Sequence, residues 1–521
     1  MPRWLSSSGA AGIATLLSRI LGFARESAYA AFMGTGPVAD AFFLAFQIPN
    51  LLRRLLGEGA LSAAFIPVFK ETEQNQGHAA AWRVGVAFIW SILLATSVIC
   101  LVLGLFLTCM VTVSNVNSQT ELMFRLMRWM LPYLPMVCVA AALIGMLNAR
   151  RIFFLPALGA TMLNATMLGS IWFLAPRFGS SLETQIFGLA LGVVVAGFLQ
   201  LAFQVPSLWK EGFRFHWLDP RKEPAVHEIA RRMGPSILGV AAFQISTVLC
   251  QTLAYSHGDD LVSSFNYAIR LMELPQGVVG ISLATVLLPE LSDLAADKKF
   301  PEFRSTLSEG LRQVFFLTLL PAIILLVLSE PIVRLLFERG EFKPHSTGQV
   351  AFMLACLTPG LLAFSLNNIL ARAFFALGDT ATPMRISLVA IGVNVVTALF
   401  SLGIYPRAGL AIANSLSGLV NCILLFYAIK RAQPKFDIFA FRPALLRMLI
   451  AALAAAVVAF AVRFSCTQWI GHSSLLPRLA EVFIPIAFAA LTYGAVAFAV
   501  GLGEIRDVIN ALRRRHPITV P

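Results

Sequence analysis

Residues 18–67 read SRILGFARESAYAAFMGTGPVADAFFLAFQIPNLLRRLLGEGALSAAFIP, and the stretch makes two opposed demands on one piece of chain. Most of it is apolar enough to cross a bilayer. Yet Arg19, Arg25, Glu26, Asp40, Arg53, Arg54 and Glu58 lie in or beside its two expected helices. An ionisable group at membrane depth costs about 2.5–3.5 kcal/mol on insertion scales, so such groups usually face a cavity and mark a pathway. A single one could snorkel to the interface on its aliphatic stem. Seven within forty residues point to a polar cavity, with the rest of the chain as its frame.

Composition sets the class. The chain is 58% hydrophobic and only 13% charged, with a mean hydropathy of +0.78; soluble domains carry about a quarter charged residues. Apolar runs of about twenty residues, the span of a bilayer core, recur along the whole length. They are continuous rather than alternating, which excludes an outer-membrane barrel. An all-α polytopic membrane protein is expected. Fourteen spans can be placed, at roughly 9–33, 38–69, 82–112, 121–149, 152–176, 183–209, 228–256, 260–295, 303–337, 347–377, 381–404, 407–430, 443–465 and 478–502.

The net charge of +13 does not indicate nucleic acid, because most of it falls in short loops on one side of these spans. Such loops face the cytoplasm, and an even number of spans puts both termini there. Arg339, Lys343, Arg407 and Arg478 are exceptions on the opposite side. The seven cysteines lie almost all in apolar runs without CxxC or Cys/His spacing, so they read as small buried hydrophobes and no metal or cofactor is expected. The one long polar connection, 210–232, reads as the hinge between two lobes.

The halves repeat. Pro132 and Pro156 are twenty-four residues apart, as are Pro359 and Pro383; the tract from Gly188 pairs with that from Gly409, and Pro67 with Pro289. The offsets all lie between 221 and 227, which predicts two six-helix lobes, 1–215 and 225–433, and an extra helix pair at 440–505. Parallel repeats of this kind build transporters with a site between the repeats. The eighth span carries the counterpart of the opening cluster, Arg270 and Glu273, three apart on one helical face. Arg54 and Glu58 are likewise one turn apart. With Glu26 and Glu58 spent on near neighbours, the cavity centre is cationic, and arginine forks suit phosphate oxygens.

The segments SRILGFARE, DAFFLAFQIPNLLRRLLGEGALSAAFIPVF, MGPSILGV and RLMELPQGVVG closely resemble the MurJ/MviN family of lipid II flippases, and the resemblance covers essentially the whole chain. It implies the multidrug/oligosaccharidyl-lipid/polysaccharide exporter fold, alternating access, and a bacterial inner-membrane location. The implied substrate is the peptidoglycan precursor, undecaprenyl pyrophosphate carrying a disaccharide-pentapeptide. The implied partners are that lipid-linked precursor, the membrane lipids and the cell-wall synthesis machinery, with no nucleic acid. Arg19, Arg25, Arg53 and Arg270 would hold the substrate; Asp40, Glu58, Glu273 and Arg54 would serve gating and transport. The C-terminal pair would form a groove for the lipid tail. Ile269 stands where some relatives have an acid. Where some carry sodium ligands, this chain has Gln244, Gln251, Asn367, Asn368 and Asn394 and no carboxylate.

Rival classes fit less well. An exporter of another polyprenyl-linked glycan would share these features, but a drug/cation antiporter of the same fold would want acids, not arginines, in its cavity. An enzyme acting on the same lipid would need a carboxylate or His cluster in long outer loops, whereas the seven His residues are scattered.

On the cytoplasmic rim, Arg53, Arg54 and Glu58 are expected to face Glu290, Asp293 and Lys298 of the other lobe. Charge reversal at Glu58 should therefore bias the carrier towards its inward-open state, and a compensating reversal on the opposite rim should partly restore transport. Labelling of cysteines placed in the cytoplasmic vestibule reads this out; unchanged accessibility in Glu58→Lys would mean that packing, not charge, closes the rim.

Overall fold

A computed structural model describes residues 3–57, 60–113, 117–152, 154–258, 260–437, 442–469, 471 and 474–513. The described residues are 89% helical, with no strand among them. Its contacts divide it into two compact units, Met1–Thr252 with Arg339–Phe342, and Leu253–Glu338 with Lys343–Pro521.

The first unit holds α1 (Arg3–Met33), α2 (Pro37–Gly57), α3 (Ala60–Gln76), α4 (His78–Val113), α5 (Ser118–Met130), α6 (Tyr133–Ala149), α7 (Phe154–Gly169), α8 (Leu182–Lys210) and most of α9 (Pro224–His257). The second holds α10 (Leu261–Pro275), α11 (Ser282–Ala296), α12 (Phe300–Val327), α13 (Ser329–Phe337), α14 (Pro344–Ala376), α15 (Ala381–Ile404), α16 (Pro406–Ala432), α17 (Arg442–Trp469), α18 (Leu475–Ala499) and α19 (Gly503–Arg513).

Among the described residues ten helical segments are long and apolar enough to cross a membrane, and eleven if α5 and α6, bent by 41°, form one span. Fourteen were expected. The difference falls on α1, α2–α3 and α9, the helices under the expected spans 9–33, 38–69 and 228–256. Length and apolar composition therefore do not establish these three as spans. In α2 the cause is plain, since Asp40, Arg53 and Arg54 all sit on one helix of 21 residues. The expected span 38–69 is described as α2 up to Gly57 and α3 from Ala60, with residues 58–59 outside the described residues.

In the first unit α6 is the central helix, and most of its side chains are buried. Phe65 stacks on Phe88 with centroids 4.9 Å apart, and Gly145 leaves the space that Phe65 fills. Close helix approach depends on small residues, as is usual when lipid supplies no hydrophobic drive. A Cβ on Gly192 would lie 2.1 Å from Ser170 Oγ, and one on Gly188 would lie 2.5 Å from Ala175 Cα. The α1–α2 turn receives the segment Arg339–Phe342, where the Glu341 N–H donates to Ala31 O at 2.9 Å. Gly340, at φ +59°, could carry no side chain there, since its Cβ would meet Ala31 O at 2.2 Å.

At one end of this unit Arg150 joins three helices, donating from Nη1 to Glu73 at 2.6 Å and from Nε to Glu211 at 2.9 Å. Burial pushes the Glu73 carboxyl up, but the Lys70 hydrogen bond and the charges of Lys70 and Arg150 more than offset it and hold it below the usual range.

In the second unit α17 and α18 pack on α12 through small residues, with Ala451, Ala455, Ala459 and Ala489 against Phe316, Leu319 and Ile323. The Tyr493 hydroxyl donates to Phe316 O at 2.9 Å. A chain of charges then fastens the pair to α13. Arg334 Nη1 donates to both oxygens of Glu481, at 3.1 and 3.2 Å, and Arg463 Nη2 donates to Glu330 at 2.7 Å. Glu330 in turn accepts from Arg334 at 2.5 Å, and Arg478 reaches Glu338 at 3.1 Å. Arg478, an exception to the loop-charge pattern, is thus one member of an ion-pair network.

Glu481 is 1% exposed, and removing one partner of a buried pair costs about 3–5 kcal/mol. Glu481→Leu should therefore lower the melting temperature of the detergent-solubilised protein strongly. A melting temperature like that of the wild type would show that Glu330 and Glu338 alone suffice for Arg334.

Candidate functional site

The expected site residues divide between the two units, and each group is built by its own helices. On α1, Arg25 is part-buried and its fork is divided. Nη1 donates to Asn164 Oδ1 on α7 at 3.0 Å, and Nη2 pairs with Glu26, whose side chain is buried. The guanidinium carbon lies 5.4 Å from the centroid of the Tyr29 ring, within cation–π range. Nε is buried with no hydrogen-bond partner among the described residues. Asn164 also donates from Nδ2 to Ser18 O at 3.0 Å, so one carboxamide both positions the arginine and ties α7 to α1. Gly22 lets it come close, since a Cβ there would lie 3.3 Å from Asn164 Nδ2.

Tyr29 is held by Phe42 and Phe43 of α2, at centroid distances of 5.8 and 6.3 Å. Asp40, 0% exposed, occupies the first turn of the same helix, where the free N–H groups and helix dipole favour a carboxylate. At the other end of α2, Arg53 donates from Nε and Nη2 to Asn50 Oδ1, at 3.1 and 3.0 Å. Arg54 lies in the last turn of α2, where a cation suits the helix dipole. Arg19 is exposed on α1. Glu58 lies outside the described residues. Glu26 pairs with Arg25 beside it, a near neighbour as expected.

In the second unit Arg270 Nη1 and Glu273 Oε2 are 2.9 Å apart, with side chains 41% and 48% exposed. The pair stands at the end of α10, just before Pro275 and a π-helical turn, Gln276–Ile281, that leads into α11. Such widened turns recur at functional sites. Gly280 in the turn packs closely on Ser365, whose Oγ would be 3.0 Å from an added Cβ.

Three of the arginines are oriented by a neighbouring side chain: Arg25 by Asn164 and Glu26, Arg53 by Asn50, and Arg270 by Glu273. The sequence reading missed Asn164, Asn50 and the π turn. Neutral carboxamides carry no pattern that marks them as partners of an arginine, and Asn164 is 139 residues from Arg25. Among the described residues no group of three or more His, Cys, Asp or Glu could hold a metal ion.

A family model described as "Lipid II flippase MurJ" matches residues 29–480. A probable lipid II flippase MurJ from Rhizobium tropici is 34% identical, covering 97% of this chain and 96% of its own. The lipid II flippase MurJ of Burkholderia cenocepacia is 33% identical over 92% of this chain and 94% of its own. Among solved structures, a lipid II flippase MurJ in an inward closed conformation superposes with a TM-score of 0.78 at 23% identity, over 96% of this chain and 99% of that one, which shows the shared fold.

Asn164→Leu leaves Arg25 Nη1 without the Asn164 acceptor and removes the side-chain donor that Ser18 O receives in addition to its helical bond. Unpaired buried polar groups cost about 1–3 kcal/mol each, so the variant should melt at a clearly lower temperature. A variant as stable as the wild type would mean that water takes over both bonds.

Proposed function

The chain belongs to the lipid II flippase family MurJ, and from that premise we propose how it handles its substrate. It carries the peptidoglycan precursor, an undecaprenyl pyrophosphate bearing a disaccharide-pentapeptide, from the cytoplasmic to the outer leaflet by alternating access. The family match over residues 29–480, with relatives about one-third identical along nearly the whole chain, carries this reading.

Pyrophosphate is the part of the substrate that arginine recognises best, through bidentate, charge-assisted bonds. Arg19, Arg25, Arg53 and Arg270 supply these bonds. The buried, unpartnered Nε of Arg25 supports its role, and so does the half-exposed side chain of Arg270. Asp40, Glu273, Arg54 and Glu58 serve gating, with Glu273 holding Arg270 until an anion replaces it. The two six-helix lobes move against each other. The pair at 440–505 provides the path for the isoprenoid tail, a role favoured by outward-facing Leu446, Leu453, Val457 and Phe460 on α17.

Both termini lie in the cytoplasm, as the loop charges require, and the product passes to the cell-wall synthesis machinery outside. The work is transport, with no covalent step.

Translocation of pyrophosphate-linked lipid by the purified protein in liposomes tests the activity. Arg25→Ala and Arg270→Ala should each abolish complementation of a flippase-depleted strain while folded protein is retained. Each lost charge-assisted bond is worth about 1.5–3 kcal/mol. Lysine at either position should rescue only in part, because it lacks the planar fork. Complementation like that of the wild type by either alanine variant would sink the pyrophosphate assignment.

A further inference from the structure

The connection after α8 is not a free polar loop. Gly212, at φ +94°, turns the chain back, and the next residues pack on α4. Phe213 meets Trp82 edge-on at 5.8 Å. Phe215 and Trp217 close on Trp90 from two sides, with centroids 5.0 and 4.6 Å away. The Trp90 indole N–H donates to His216 O at 2.9 Å, which locks the backbone between the two aromatics. Despite this packing, Phe215 is 52% and Trp217 64% exposed. The loop is held firmly, but two large aromatic faces stay uncovered.

What lies next to them identifies the solvent they face. Along α4, the exposed Leu94, Val98, Leu101 and Leu105 follow at helical spacing on one face, and α4 is among the segments long and apolar enough to cross a membrane. Trp90 sits one turn before Leu94 on that face. The aromatic cluster therefore ends a lipid-facing stripe, at the level where Trp rings gather in membrane proteins.

The charges point the same way. The acids of the loop are committed internally. Glu211 is paired with Arg150 at 2.9 Å and Glu223 with Arg83 at 3.5 Å, while Asp219 accepts from the Arg221 N–H at 3.1 Å. The cations are not. Lys210, Arg221 and Lys222 are exposed and have no carboxylate partner among the described residues, and Arg214 donates only to the carbonyls of Trp209 and Phe213.

We propose that residues 210–222 form an interfacial anchor that inserts Phe215 and Trp217 at headgroup level and binds anionic phospholipid headgroups through Lys210, Arg221 and Lys222. The segment continues directly into α9, the helix that passes from the first unit to the second. The anchor holds that connection at the bilayer surface.

Full-length protein in vesicles of phosphatidylcholine, alone or mixed equally with phosphatidylglycerol, tests this. The emission of wild type minus that of Trp217→Phe isolates Trp217, and phenylalanine keeps the packing on Trp90. That emission should be quenched by lipids brominated near the top of the acyl chain and shielded from aqueous acrylamide. Shielding should be greater with phosphatidylglycerol. The added shielding should be lost in high salt, and also when Lys210→Gln, Arg221→Gln and Lys222→Gln are combined. Free quenching by acrylamide with none by bromolipid, in both compositions, would place Trp217 in water and overturn the anchor in favour of a soluble partner. Equal shielding in both compositions would overturn the assignment to anionic headgroups.

Discussion

A charge removed from water must be answered by the protein, and at Arg25 this requirement organises the first unit. The guanidinium has a carboxylate beside it in Glu26, a carboxamide across from it in Asn164, and an aromatic face in Tyr29. Each partner brings an element with it. Asn164 draws α7 against α1, Gly22 is small so that it can, and Tyr29 is in turn wedged by Phe42 and Phe43 of α2. One arginine thus sets the relation of three helices. Its Nε is buried with no hydrogen-bond partner among the described residues.

The second unit meets the same requirement with a chain of pairs. Arg463, Glu330, Arg334 and Glu481 alternate in sign across α13, α17 and α18, and Arg478 with Glu338 extends the series. Apolar packing of α17 on α12 uses mostly alanine and offers little shape to choose one register over another. Directional ion pairs and the Tyr493 hydroxyl supply that choice. The C-terminal pair is therefore joined to its unit by chemistry at defined points, while its outer faces stay apolar.

Arg270 is handled differently. Its partner Glu273 is on the same helix, one turn away, and both are about half exposed. The π turn that follows widens the helix where Pro275 removes a backbone donor. This pair lies at a half-exposed helix end, not in a packed core. Arg25, by contrast, is fixed in place before any ligand arrives.

The amino-acid sequence by itself determined the class, because apolar runs of bilayer length, with most of the cations gathered in one set of loops, have no other physical home. It also marked Arg25, Asp40, Arg53 and Arg270, since a charge among apolar neighbours is visible without coordinates. The motifs around them carried the family. Only the tertiary structure decided what those charges touch. Asn164 lies 139 residues from Arg25 and Glu481 lies 147 from Arg334, and no local spacing connects residues that far apart. The π turn after Pro275 was likewise settled by packing, which overrides the regular periodicity of an apolar run. Hydropathy reports that a segment belongs in the membrane; how its backbone deviates there depends on the neighbours that accept its hydrogen bonds.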